Sequence, residues 1–406
     1  MVPAKVLRIF VEYDLQLWIL FAGWVVSAMG FAMVVPFVSI YFHIELGIPM
    51  AVVGTFFLVT AVVRAVSQII AGNLSDSIGR RKIMLFAQFV RGIVFFGVAI
   101  AIHLDWGFYP TALILVMGYL LASFFQPAAN AMVADIVPAE KRPEAFGLLK
   151  IAANIGWGIG PAAGGFLATH SYSALFWVSG FLAIGSGLTI LFFLQESNKN
   201  LQPMERSQFK PKKVFGVFSD KQFLIYCVVS WLMFLTMAQL VATLSVYAKA
   251  HIGISNEQLG WIYSTNALIV VVFQLLVSRI IKRFNLLKVM MLGSLLYWIG
   301  YSLMAFPTSL LQIFLLIALI TVAEMMVGPA SSSLVARIAP LNKYGLYMGA
   351  FGLFGTLGWS VGPFIGGLFL DYAPNSYVLW FGVSFSGLLG AIGFFWMSRR
   401  CPELGE

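Results

Sequence analysis

Apolar runs long enough to cross a bilayer follow one another along almost the whole chain, and that pattern leaves few folds open. A membrane-spanning helix needs roughly 20 mainly apolar residues at 1.5 Å each. By that measure twelve spans are predicted, at 17–41, 50–71, 83–102, 111–134, 146–168, 174–194, 223–247, 259–281, 288–306, 310–335, 346–370 and 377–397. Of the 406 residues, 60% are apolar and 10% charged, against about 25% charged in an average soluble protein. A soluble core cannot hide that much apolar surface. A soluble enzyme, a nucleic-acid module and a disordered chain are therefore excluded. Hydrocarbon offers the backbone no hydrogen-bond partner, so each span is expected as an α-helix. The predicted fold class is an all-α membrane protein of 12 transmembrane helices.

Charge gives the orientation. Lys and Arg gather in alternate connections: Lys5 and Arg8; Arg80, Arg81 and Lys82; Lys141 and Arg142; Lys199 through Lys221; Arg279, Lys282, Arg283 and Lys288; Arg337 and Lys343; Arg399 and Arg400. Arg64, Arg91 and Lys150 fall within spans, and of the 25 basic residues only Lys249 falls in a connection on the other side. The positive-inside rule then places both termini and the 195–222 connection in the cytoplasm, with the chain in the cell membrane. The same rule accounts for the net charge of +9 without a nucleic-acid partner. The first apolar stretch follows charges that run to Asp14 and is long enough to span, so it is not read as a cleaved leader. The polar connection separates the spans six and six, giving an N-terminal half at 1–194, a linker at 195–222 and a C-terminal half at 223–406.

The two halves repeat each other. Gly147, Gly156, Gly160, Pro161, Gly164 and Gly165 recur as Gly349, Gly358, Gly362, Pro363, Gly366 and Gly367, every one offset by 202. Pro127, Ala134 and Pro138 keep that offset with Pro329, Ala336 and Pro340. Two six-span repeats about a central axis are the architecture of a class of secondary transporters that hold substrate near the midplane. The glycines have a packing reason: helices in lipid associate through close contact of small residues.

Between spans 2 and 3 the chain reads Gly72-Asn-Leu-Ser-Asp76-Ser-Ile-Gly79-Arg80-Arg81-Lys82. This stretch resembles the loop motif of the major facilitator superfamily, and the Gly-Pro run of span 5 resembles the antiporter motif of its 12-span drug:proton antiporter branch. The resemblance covers the whole chain. It implies a two-half fold and alternating access. It also implies a gating latch of Gly72, Asp76, Gly79, Arg80 and Arg81 with an acidic residue at the end of span 4, which here is Asp135. At an offset of 206 the second-half loop reads Ser278, Ile280, Lys282, Asn285 and Lys288; its Gly and Asp are gone, so the latch is expected on one side. Drug exporters of this branch carry an Arg in the outer half of span 4, where this chain reads Leu115-Val116-Met117-Gly118-Tyr119.

An ionisable residue inside a span is costly and marks function by default. Glu324 lies roughly 21 Å from one end of span 10 and roughly 17 Å from the other, too deep for its short side chain to reach water. Thr321, Gly328 and Ser331 continue its helical face, a small and polar stripe suited to a cavity. Glu324 is the candidate proton carrier. Arg64, roughly 10 Å from the inner end of span 2, is read three ways: a counter-ion for Glu324, an anchor for an anionic substrate, or a side chain snorkelling to the interface. Val270 stands at its second-half position, so the shared scaffold does not require the charge. Gln126, Asn130, Asn154, Gln239 and Asn266 are candidate cavity residues, each read alternatively as a helix–helix hydrogen bond.

The expected function is proton-coupled efflux of amphipathic or cationic small molecules. The alternatives are an uptake or exchange carrier for an anionic metabolite or lipid-like substrate, and a non-transporting membrane sensor. The expected partners are a small-molecule substrate, the proton and the bilayer, with the chain acting as a monomer. Cys227 and Cys401 offer no disulfide framework, and the four His do not cluster. No metal, cofactor or enzymatic activity is expected.

Overall fold

The structure, a computed structural model, describes residues 13–138, 141–197, 216–281, 283–340 and 344–404. Among them every regular element is helical. The first is α1 (Leu15–Ile40), which runs on through a π turn at Tyr41–Glu45. Then come α2 (Met50–Ile78), α3 (Arg80–His103), α4 (Phe108–Ala122), α5 (Phe125–Ile136), α6 (Arg142–His170) and α7 (Tyr172–Phe193). The series continues with α8 (Lys221–Met237), α9 (Thr243–Ile252), α10 (Asn256–Ile281), α11 (Leu286–Leu303), α12 (Leu310–Ile338), α13 (Tyr344–Tyr372) and α14 (Ser376–Arg400). Among the described residues, ten helical stretches are long and apolar enough to cross a membrane. The 29 residues of α6 are diluted by Glu144, Lys150, Asn154 and six glycines.

Helix starts follow local capping. Asp220 accepts from the Gln222 and Phe223 amides at α8, Asn285 from Lys288 at α11, and Asn375 from Val378 at α14. Ser309 and Gln312 form a capping box at α12. Each side-chain oxygen satisfies an amide that the first turn leaves without a partner.

Two predicted spans are broken. The fourth divides at Ser123–Phe124 into α4 and α5. Pro127 supplies no amide, and its ring clashes with the carbonyl four residues back, at Ser123. Its repeat partner Pro329 lies inside an uninterrupted α12. The seventh span stops at Met237, makes a tight turn at Ala238–Leu240 and resumes at Thr243. Carbonyls freed by this break are taken up by side chains. Gln239 Nε2 donates to Leu235 O at 2.8 Å, Tyr301 Oη to Met237 O at 3.3 Å, and Tyr263 Oη to Leu240 O at 2.7 Å. Irregular backbone at membrane depth persists where protein supplies such partners.

The chain gathers into two compact units, Met1–Phe37 with Val62–Ser207, and Val38–Ala61 with Gln208–Glu406. In the first, a buried cluster joins Leu17 and Leu20 of α1, Met84 and Ala87 of α3, Ala128, Ala129 and Met132 of α5, and Leu149 of α6. The glycines of α6 lie on α1: a Cβ at Gly156 would sit 2.6 Å from Ala28 Cβ, and one at Gly160 2.6 Å from Met29 O. In the second unit a Cβ at Gly362 of α13 would sit 2.6 Å from Ala238 Cβ, just past the end of α8. The repeated glycines thus join α6 to α1, and α13 to the end of α8. Gly147, by contrast, has nothing within 4 Å of such a Cβ.

Candidate functional site

The α2–α3 connection carries a cluster of charge. Gly79 turns the chain with φ +115°, a conformation that favours glycine. Beside it lies the Glu196 carboxylate, which accepts from the Arg80 amide at 2.9 Å and the Arg81 amide at 3.2 Å. A Cβ on Gly79 would collide with that carboxylate. Glu196 therefore caps the N-terminus of α3, where a negative charge is favoured. The Arg80 guanidinium meets Asp135 at the end of α5, Nε to Oδ2 3.3 Å, and donates to Ser75 Oγ at 3.0 Å. Its side chain is 11% exposed and that of Asp135 31%. Ser197 Oγ donates to the same Asp135 oxygen at 2.8 Å. Arg81 donates to the carbonyls of Ile190 and Leu191 in the last turn of α7, where a cation is favoured. Gly72 and the Asp76 side chain lie outside the described residues.

Glu196, Ser197 and Ser75 carry no signal in the motif. Glu196 meets the loop from 116 residues away, and no local pattern marks it. The offset of 206 is informative only in hindsight: Asn285 stands where Gly79 does, and it caps α11 with its own side chain. The first unit uses a glycine with a distant carboxylate, and the second a local Asn.

In the second unit Glu324 is half-buried on α12. Asn266 Nδ2 of α10 donates to Glu324 Oε2 at 3.0 Å and to Thr321 Oγ1 at 2.8 Å. The structure thus brings together three residues singled out from sequence. Tyr297 and Tyr301 of α11 lie within electrostatic reach of the Glu324 carboxyl. Tyr297 Oη is buried without a hydrogen-bond partner among the described residues. The site therefore joins a carboxyl group, an amide and a hydroxyl.

The remaining candidates separate. Gln239, expected on a cavity face, is 1% exposed. Its amide bridges Leu235 O and Gly362 O, and its oxygen accepts from Thr243; it braces the broken seventh span instead. Gln126 is exposed and Asn130 and Asn154 half-buried, and their side chains make no hydrogen bond among the described residues. Gly164 lies against the Met33 backbone, while Pro161 is buried within an unbroken α6. Arg91 is buried and donates to Ser27 Oγ at 2.8 Å and Gln88 Oε1 at 2.5 Å, tying α3 to α1. Arg64 lies over the Phe31 ring, Cζ 5.7 Å from its centroid.

Two contacts far from any motif hold the start of α2. Asp371 at the end of α13 accepts from the Met50 amide at 2.8 Å and the Ala51 amide at 2.7 Å. Lys249 donates to Asn256 Oδ1 at 2.7 Å and lies 3.9 Å from Glu45. Burial holds its ammonium below the ordinary lysine range despite the nearby carboxylate.

The chain is similar to several transporters along most of its length. It is 26% identical to multidrug resistance protein 1 of Bacillus subtilis, over 89% of this chain and 91% of that protein. It is 26% identical to a Na(+), Li(+), K(+)/H(+) antiporter of Planococcus maritimus, over 82% and 84%. Among solved structures it superposes on the nucleoside transporter NupG with a TM-score of 0.75 at 15% identity, over 94% and 99%. The sequence model of the Major Facilitator Superfamily matches residues 20–251 and 226–405. The chain, an all-helical membrane protein, belongs to the Major Facilitator Superfamily.

Proposed function

We propose that this chain is a proton-coupled secondary transporter that exports amphipathic small molecules by alternating access. In this reading twelve spans form two six-helix halves, 1–194 and 223–406, joined by the 195–222 linker. Both termini face the cytoplasm of the cell membrane, and the monomer is the working unit. The observation that carries the reading is Glu324 on α12, hydrogen-bonded by Asn266 and within electrostatic reach of Tyr297. Neutral Glu324 suits a dry, closed intermediate. Its ionised form needs water, a cation or an arginine as partner. Proton and substrate then favour different states of one carboxyl, and that difference couples them. The relatives described as an antiporter and a multidrug resistance protein support this direction. Arg80, Asp135 and Glu196, with Gly72, Asp76, Gly79 and Arg81, act as the cytoplasmic latch. Gln126, Asn130, Asn154 and Asn266 remain candidates for the substrate path.

The test is proton movement in proteoliposomes with a trapped pH indicator, on adding amphipathic cations, neutral compounds and anions in turn. Substrate-dependent proton flux that requires the protein is expected. Transport with no accompanying proton movement would reject the coupling. The second reading, uptake or exchange of an anionic substrate, is favoured by the surroundings of Arg64.

A further inference from the structure

Two arginines lie within the spans of the first unit, and they are held differently. Arg91 is fixed by hydrogen bonds to Ser27 and Gln88. Arg64 makes no hydrogen bond and no ion pair among the described residues. Its guanidinium instead rests on the Phe31 ring at 5.7 Å, within electrostatic reach of Tyr119. Phe31 meets Tyr119 edge-on, with centroids 5.8 Å apart and an interplanar angle of 87°, and Trp157 at 6.4 Å and 76°. Three helices, α1, α4 and α6, thus bring an aromatic cluster, centred on Phe31, beside one cation carried by α2. Tyr119 is 9% exposed, while Arg64, Phe31 and Trp157 are half-buried.

We propose that Arg64, Phe31, Tyr119 and Trp157 form a subsite for the carboxylate of an aromatic, amphipathic substrate. A cation within a span is costly without a counter-charge. The repeat position Val270 means that the scaffold does not impose this one. A ring against the guanidinium face stabilises the cation and leaves its N–H edge free. That edge matches a carboxylate with two parallel hydrogen bonds, which a lysine cannot reproduce. The indole and phenol walls favour an aromatic ring beside the carboxylate through offset or edge contacts. An ammonium group would be repelled, and a neutral amide would leave the guanidinium without a counter-charge. The subsite rests on the reading of the chain as a carrier of small amphipathic molecules, and it replaces a cationic preference with an anionic one at this point.

The experiment is equilibrium dialysis of the full-length protein in lipid nanodiscs, against empty nanodiscs, with three probes that share one ring: naphthalene-2-carboxylate, naphthalene-2-carboxamide and 2-naphthylmethylammonium. Wild type is expected to bind the carboxylate at least about tenfold more tightly than the other two. Arg64→Gln removes that preference, Arg64→Lys restores part of it, and Phe31→Leu weakens all binding. Equal binding of carboxylate and amide by wild type, or no binding of the carboxylate, overturns the proposal. So does an undiminished preference in Arg64→Gln. If Arg64→Gln does not fold, the wild-type ratio alone decides. A protein that prefers the carboxylate but moves no protons would reject proton coupling and leave this subsite standing.

Discussion

Replacing Glu196 by Ala removes the carboxylate that accepts from the first two amides of α3, at 2.9 and 3.2 Å. Gly79 precedes them and has no side chain to take over. Loss of a side-chain cap costs about 0.5–2 kcal/mol, and the charge adds about 0.3–1 kcal/mol through the helix dipole. A total of about 1–3 kcal/mol corresponds to roughly 5–150-fold in a local opening equilibrium. The assay is hydrogen–deuterium exchange of the full-length protein in nanodiscs, read on peptides spanning 76–90. Exchange at Arg80 and Arg81 should rise by that factor in Glu196→Ala. The start of α11, capped by its own Asn285, should not change and serves as internal control. Glu196→Gln keeps an acceptor without the charge and should fall between. Unchanged exchange at Arg80 and Arg81 in Glu196→Ala would refute the capping argument.

Gly160→Leu should be poorly tolerated, because a Cβ there meets Met29 O at 2.6 Å and Ala32 Cβ at 3.0 Å; overpacking costs about 1–3 kcal/mol or more. Gly147→Leu, with nothing within 4 Å, should give near-normal yield and thermal midpoint, and equal behaviour of the two would contradict the packing. Gln239→Leu leaves the carbonyls of Leu235 and Gly362 without their donor and should cost about 1–3 kcal/mol, read as a midpoint lowered by several degrees in detergent. Asp371→Ala should raise amide exchange at Met50 and Ala51, whose amides it accepts from, and leave the α3 start unaffected.

Helix content and approximate limits were legible because lipid forces the backbone to bond within itself, so hydropathy alone reports the elements. The breaks were not. Pro127 and Pro329 occupy one repeat position, yet the chain breaks before the first and continues through the second. Proline disfavours the preceding carbonyl's bond in both, and neighbouring helices decide whether the helix survives. The seventh-span break depends on Gln239, Tyr263 and Tyr301. The two tyrosines sit in other helices, and no residue within the span announces it. Depth singled out Glu324, and a polar residue in another span, Asn266, proved to be its partner. Glu196 escaped because its acidic side chain follows a span end like many solvated charges. Only the fold brings it to Gly79. The aromatic cluster beside Arg64 escaped for the opposite reason: among 37 Phe, 14 Tyr and 11 Trp, no composition distinguishes the three that gather beside a cation.

The central claim is that Glu324 is the group through which proton and substrate are coupled. Glu324→Gln retains the shape and one acceptor for Asn266 and cannot ionise. The direct measurement compares pH-gradient-driven transport by wild type and Glu324→Gln in proteoliposomes at matched protein content, using whichever compound gives proton flux with wild type. The variant should lose gradient-driven accumulation and its dependence on pH while still equilibrating substrate downhill. Equal rates and equal pH dependence in the two proteins would contradict the account and remove Glu324 from the mechanism.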